Sequence, residues 1–256
     1  MKIGIVGLGL IGGSIFKDLI NLGYDVVGVS NSQSGANIYK DYSVLKGCEL
    51  VFVCSAMNKT LAILDELENY LSPQTVVTDV CSLKSFVCNK QRSYEFIPSH
   101  PMAGTEHKGF ENSFEGLFRG AKWVITPYYY SERSEESLSV LKKVVEQLGA
   151  EVVTATPKEH DEAVALISHM PMVIAQAIFK TAESNELAMK IAASGFRDMT
   201  RLAMSNTEMA NDMVMMNSEN IQNAILKLYK SVGDLTNPEY RRQIDEISVK
   251  RKEMFK

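Results

Sequence analysis

Short apolar runs alternate with amphipathic stretches through the first half of the chain, and the pattern changes near residue 156. "KIGIV" reads as a buried strand, "IGGSIFKDLINLG" has helical periodicity ending at a glycine stop, Gly23, and "YDVVGVS" reads as a second strand. The alternation continues with "ELVFVCS", a helix across Lys59 to Tyr70, "TVVTDV", a helix from about Ser82, and "YEFIPSH". "KWVITP", a helix near Glu135 to Leu148 and "AEVVTATP" complete it. Such a series builds a mostly parallel sheet with helices on both faces. Thr156-Pro157-Lys158-Glu159 then forms a capping box with proline at the first helical position. Helices follow over about 158–180, 186–203, 207–230 and 238–254, with start signals at Ser205-x-x-Glu208 and Asn237-Pro238. The expected fold class is α/β, with a sheet domain over 1–156 and an all-α domain over 157–256.

Between the first strand and first helix, Gly7, Gly9 and Gly12 supply G-x-G-x-x-G. In that setting the motif marks a Rossmann-type dinucleotide site. Gly7 allows the tight turn, Gly9 lets the backbone approach a pyrophosphate, and Gly12 lets the helix pack on the strand. Leu10 and Ile11 open the helix whose N-terminus faces the phosphates. Ligands of such sheets sit beyond the carboxyl ends of the strands. Ser55, Asp79 to Ser82, and His100 all fall there and are expected to line one crevice with the cofactor. An NAD site wants a carboxylate at the end of the second strand, to hold the ribose 2′-hydroxyl. Here the chain reads Ser30-Asn31-Ser32, with Asp25 at the wrong end and no adjacent arginine. The expectation leans to NADP, with NAD the alternative.

Composition narrows the partners. A net charge of −4 argues against nucleic acid. Four cysteines without C-x-x-C or zinc-finger spacing fit a reduced, cytoplasmic setting, and the four histidines show no metal-ligand spacing. The apolar N-terminus is interrupted by five glycines and reads as structure rather than a signal peptide. No stretch is expected to approach the roughly 20 apolar residues of a membrane span.

The loop "PSHPMAGTEHKGF" (98–110) concentrates proton-handling groups among backbone breakers. In the helical half, Glu162, His169 and Gln176 recur every seven residues and are expected to share one face. A polar stripe on so apolar a helix either satisfies itself internally or lines a site. Pro171 should kink that helix. "MANDMVMMN" reads as core or subunit packing, and Arg197 and Arg201 lie four apart, where one could grip a carboxylate.

With "GLGLIGGS", "TDVCSLK", "SHPMAGTEHKGF", "EHDEAVALISHMP" and "SGFRDMTRLA" in order, the chain resembles the prephenate/arogenate dehydrogenase family of tyrosine biosynthesis over nearly its whole length. The resemblance implies that NAD(P)⁺ oxidises a cyclohexadienol, a carboxylate leaves as CO₂ and the ring becomes aromatic. It implies His100 as the group taking the ring hydroxyl's proton, Ser82 orienting the hydroxyl, and Arg201 gripping the ring carboxylate. Glu106 falls at the mouth of the site, and the helical half is implied to form a homodimer. Many prephenate-preferring members carry a second histidine where this chain has Met172, as in the arogenate-preferring cyanobacterial type. That favours arogenate as substrate. The connection between Ser30 and Glu49 is short, so a peripheral element should be truncated. The chain ends directly after the helical region, which leaves no room for a regulatory domain and predicts weak tyrosine feedback. The alternatives are a β-hydroxyacid dehydrogenase, although no G-x-x-G-x-x-K stretch is present, and a non-catalytic NADP-sensing protein.

Overall fold

The computed structural model describes residues 1–105, 107–129, 131–236 and 240–255. A six-stranded parallel sheet is built around β1 (Lys2–Val6), which is followed by α1 (Leu10–Asn21), β2 (Asp25–Val29) and β3 (Ile38–Tyr39). β4 (Leu50–Val53), α2 (Met57–Leu67), β5 (Val76–Asp79) and β6 (Glu95–Phe96) extend it, in the order β3-β2-β1-β4-β5-β6. β1, β4 and β5 lie in the middle of the sheet and are almost wholly buried, as strands covered on both faces must be. One face packs Ile15, Leu19, Phe52, Phe118 and Trp123 with α1, and the other packs Val51, Leu64, Leu67 and Val77 with α2.

"YEFIPSH" does not form one strand. Pro98 separates β6 from β7 (Ser99–Pro101), which joins a second sheet with β8 (Lys122–Ile125) and β9 (Glu151–Thr154). There β7 runs antiparallel to β8, β8 and β9 run parallel, and α3 (Ser134–Gln147) precedes β9. The expected truncation lies between β2 and β4, where a two-residue strand and one 3₁₀ turn, Tyr42–Leu45, replace a full helix and strand. The helix expected from Ser82 is absent. The backbone N–H groups of Lys84 and Ser85 donate to the Asp161 carboxylate at 2.8 and 2.9 Å instead of starting a helical ladder.

The capping box at Thr156 is present and opens α4 (Pro157–Val164). Next comes a π-helical turn, Ala165–His169, and then α5 (Met170–Ala182). The π-helical turn directly precedes Pro171, which has no N–H to give to a regular ladder. The turn also changes the helix phase, so the expected polar face does not form: Glu162 is exposed whereas His169 is fully buried. From Pro157 to Ala182 the helix runs 26 residues with a best-window mean hydropathy of 1.5, which does reach the length and composition of a span. His160, Asp161 and His169 are buried within the protein along it, so length and composition alone do not make it a span.

The helix expected over 186–203 breaks into α6 (Glu186–Ile191), α7 (Ser194–Met199) and a 3₁₀ turn, Arg201–Met204. The helix expected over 207–230 divides at Asn217 into α8 (Thr207–Met216) and α9 (Ser218–Leu235). α10 (Tyr240–Met254) follows, and the Asn237-Pro238 start signal lies outside the described residues.

A fully buried ion pair, Lys84 with Asp79, fixes the end of β5. Lys84 Nζ also donates to the Ser99 carbonyl at 2.6 Å, and Asp79 Oδ1 accepts from the Ser99 N–H at 3.3 Å. Removing one member strands the other in a dry interior. Lys84→Ala should therefore cost about 3–5 kcal/mol in urea unfolding. Lys122→Ala, which loses an exposed pair with Glu151, should cost below about 1 kcal/mol.

Candidate active site

The glycine motif forms as its spacing requires. Gly7 has φ +91°, and a Cβ there would stand 2.6 Å from the Cys54 carbonyl oxygen. At Gly12 a Cβ would meet the Gly7 carbonyl oxygen at 2.0 Å, so only glycine lets α1 approach the turn. α1 starts just after Gly9, which gives it no side-chain cap, and has no acidic residue in its first turn. Its leading N–H groups are therefore free for an anion. Next to it lies a crevice of about 450 Å³ lined by Gly7, Gly9, Ser30, Asn31 and Ser55, together with Lys40. Leu10, Ile11 and Gly12 stand behind that wall in the first turn of α1. Ser55 hydrogen-bonds Thr60 at 2.8 Å, and the Ser30 hydroxyl accepts from the N–H groups of Ser32 and Gln33. These residues suit a dinucleotide: leading amides for phosphate, open space at Gly9 and, among the described residues, no carboxylate on the wall.

His100, half-buried on β7, is the first link in a chain of side chains. Its Nδ1 lies 2.9 Å from His160 Nε2, and His160 Nδ1 lies 2.8 Å from Asp161 Oδ1. Asp161 is a carboxylate, so His160 donates from Nδ1 and accepts at Nε2. His100 therefore donates from Nδ1 and keeps the Nε2 lone pair, which has no partner among the described residues. Burial holds the His100 pKa well below the ordinary imidazole value, and the nearby His160, Lys84 and His169 push the same way. Burial alone would raise the pKa of Asp161. Hydrogen bonds from His160, Ser85 and the Lys84 N–H outweigh it and keep the carboxyl below its usual range.

A second imidazole is fixed just as firmly. Asn217 Oδ1 accepts from Asn220, so its Nδ2 is the donor that reaches both the Asp161 carbonyl (3.0 Å) and His169 Nδ1 (3.1 Å). His169 must then carry its proton on Nε2, which is buried and unpartnered among the described residues. Burial lowers its pKa to about 4.

Of the other predicted positions, Met172 belongs to an apolar cluster that also holds the chain neighbours of Ser82 and Arg201. Cys81 and Leu83, on either side of Ser82, pack with Met172 and Met213, and Met102 and Leu202 pack against them. Ser82 is half-buried between its neighbours, Met172 is buried, and Arg201 is exposed at the head of the 3₁₀ turn. Glu106 lies outside the described residues. Sequence reasoning missed His160, Asp161, Asn217 and Lys84. His160-Asp161 sits in the quoted "EHDEA" string directly after the capping box, and its spacing of nine from His169 matches no regular helical repeat.

A parallel nucleotide-binding sheet, completed by a helical half that supplies buried imidazoles to the strand ends, defines a two-part dinucleotide-binding protein. Residues 28–154 match the family model for the prephenate dehydrogenase nucleotide-binding domain, and residues 156–248 match the model for its dimerization domain. The chain belongs to the prephenate dehydrogenase family. It is 30% identical over 240 residues to prephenate dehydrogenase of Bacillus subtilis, covering 85% of this chain and 64% of that relative. It therefore spans just under two thirds of that relative's length. Among solved structures it is similar to Synechocystis arogenate dehydrogenase, at 33% identity and TM-score 0.88, covering 99% of this chain and all of that one. It is also similar to Aquifex aeolicus prephenate dehydrogenase bound to hydroxyphenyl propionate and NAD⁺, at 28% identity and TM-score 0.87, covering 99% and 98% of the two chains.

His169 is held neutral in the fold, but in the unfolded chain it titrates near its ordinary value of about 6.5. Its contribution to stability is present above that value and is lost as pH falls toward about 4. Melting temperature should drop through this window, and less steeply in His169→Asn. Equal slopes for the two proteins would remove His169 as the cause.

Proposed function

We propose that the chain oxidatively decarboxylates arogenate, with prephenate as the lesser substrate, and that its hydride acceptor is NADP⁺. The observation that carries this reading is the bare Nε2 of His100, backed by His160 and Asp161. A nicotinamide dinucleotide in the crevice supplies the hydride acceptor. The substrate ring carbon gives up hydride while its hydroxyl proton moves to His100 Nε2. The bond to the ring carboxylate then breaks, CO₂ leaves, and its electron pair completes the aromatic ring. The ring oxygen regains the proton, so none is consumed overall.

His160 and Asp161 hold the His100 ring in the tautomer that can accept, which is the role of the third group in a nucleophile–base–carboxylate set. Imidazole kept neutral by its surroundings is ready as a base near neutral pH. Ser82 orients the hydroxyl, Arg201 holds the ring carboxylate, and His169 offers its Nε2–H to the substrate. Met172 leaves the pocket less cationic than a histidine would, which suits the added ammonium of arogenate. Cofactor choice follows the carboxylate-free turn Ser30-Asn31-Ser32.

A homodimer suits the helical half, where Ile191, Met204, Met215, Leu226 and Tyr229 are all more than 60% exposed. An apolar surface of that extent marks an association face. The helical domain is taken to begin at residue 157.

His100→Asn should lower kcat by roughly 10²–10⁴-fold with little change in substrate KM. An unchanged kcat would refute the base assignment. Prephenate turning over as efficiently as arogenate removes the substrate preference, and a strong NAD⁺ preference removes NADP. Light scattering at micromolar concentration should give a dimer mass.

A further inference from the structure

Resting on the reading that the crevice holds a nicotinamide dinucleotide, we propose that Lys40 selects its phosphorylated form by binding the 2′-phosphate of the adenosine ribose. Nothing in the local sequence shows this, because Lys40 lies eleven residues beyond the end of the second strand. The sheet register brings it back. Val29 pairs with Tyr39, and the Ser30 N–H donates to the Tyr39 carbonyl at 2.9 Å, so Lys40 is the next residue past the rung beside Ser30. The crossover from β2 to β3 spans only residues 30–37, through Gly35 and Asn37 (φ 59°), and holds no helix to screen the lysine.

The chemistry of the neighbourhood fits a dianion. Lys40 lines the crevice with Ser30, Asn31, Ser32 and Gln33, and it is the one charged residue on that wall among the described residues. Its ammonium makes no hydrogen bond or ion pair with any described residue. The adjacent Asp41 does not neutralise it by contact, since the Asp41 carboxylate caps the following turn by accepting from the Ser43 N–H at 2.7 Å. The Ser30 hydroxyl accepts two backbone N–H groups and lies 3.5 Å from the Ser32 hydroxyl, so both hydroxyls face the same space. Tyr42 and Ile63 wall the crevice beyond, where an apolar purine would rest. A charge-assisted contact between ammonium and phosphate discriminates strongly, because NAD has only a hydroxyl there.

The test is calorimetric binding of NADP⁺ and NAD⁺ to the full chain without ring substrate, for the wild type, Lys40→Ala and Lys40→Glu. The expected result for Lys40→Ala is a loss of NADP⁺ affinity of roughly tenfold or more, with NAD⁺ affinity held within about twofold. Lys40→Glu should invert the preference, and the wild-type advantage for NADP⁺ should shrink as salt is raised. NAD⁺ binding reports that each variant is folded. Equal weakening toward both dinucleotides, or unaltered NADP⁺ affinity, overturns the role of Lys40 and leaves the functional reading standing. A wild-type chain that binds neither dinucleotide overturns both.

Discussion

The carboxylate of Asp161 is the contact on which the arrangement depends. It belongs to the helical half, yet two of its acceptor positions are filled by the backbone N–H groups of Lys84 and Ser85, just past β5. The same carboxylate accepts a hydrogen bond from His160 Nδ1, and His160 in turn fixes His100 on β7. One buried anion thus ties the helical half to the sheet and sets the proton positions of both rings. Burying it costs solvation, and the several donors around it offset that cost. The depressed pKa of Asp161 is the measurable sign that they do.

The Asp79–Lys84 pair works from the opposite side. It holds the end of β5 against the start of β7, so the segment carrying Ser82 and the strand carrying His100 are braced together without contacts from the helical half. The apolar cluster of Cys81, Leu83, Met102, Met172 and Leu202 then closes the seam. Polar bonds set direction here, and apolar packing sets distance.

Most of the strands, the glycine turn and the Thr156 cap were legible because each is encoded locally: apolar runs, a G-x-G-x-x-G flanked by strand and helix, and a Thr-Pro-x-Glu string. His100 was legible because of the breakers around it. The absent helix at Ser82 was not, since its backbone donors are taken by a carboxylate 76 residues away in sequence. Asn217 looked like one more residue of a continuous helix, and its bonds to His169 and Asp161 exist only once two distant segments pack. Lys40 was overlooked for a related reason: strand pairing, not sequence distance, puts it beside Ser30.

The π-turn at Ala165–His169 has a consequence for how this chain can vary. One extra residue in a helix rotates everything after it by about 100°. Upstream of the turn, His160 and Asp161 must aim at the sheet. Downstream, Met172 and Ala175 must aim at α8 and α9, along with whatever else the helical half packs against. The inserted residue sets the phase between these two jobs, so a deletion there would leave each half of the helix well formed but pointing past its target.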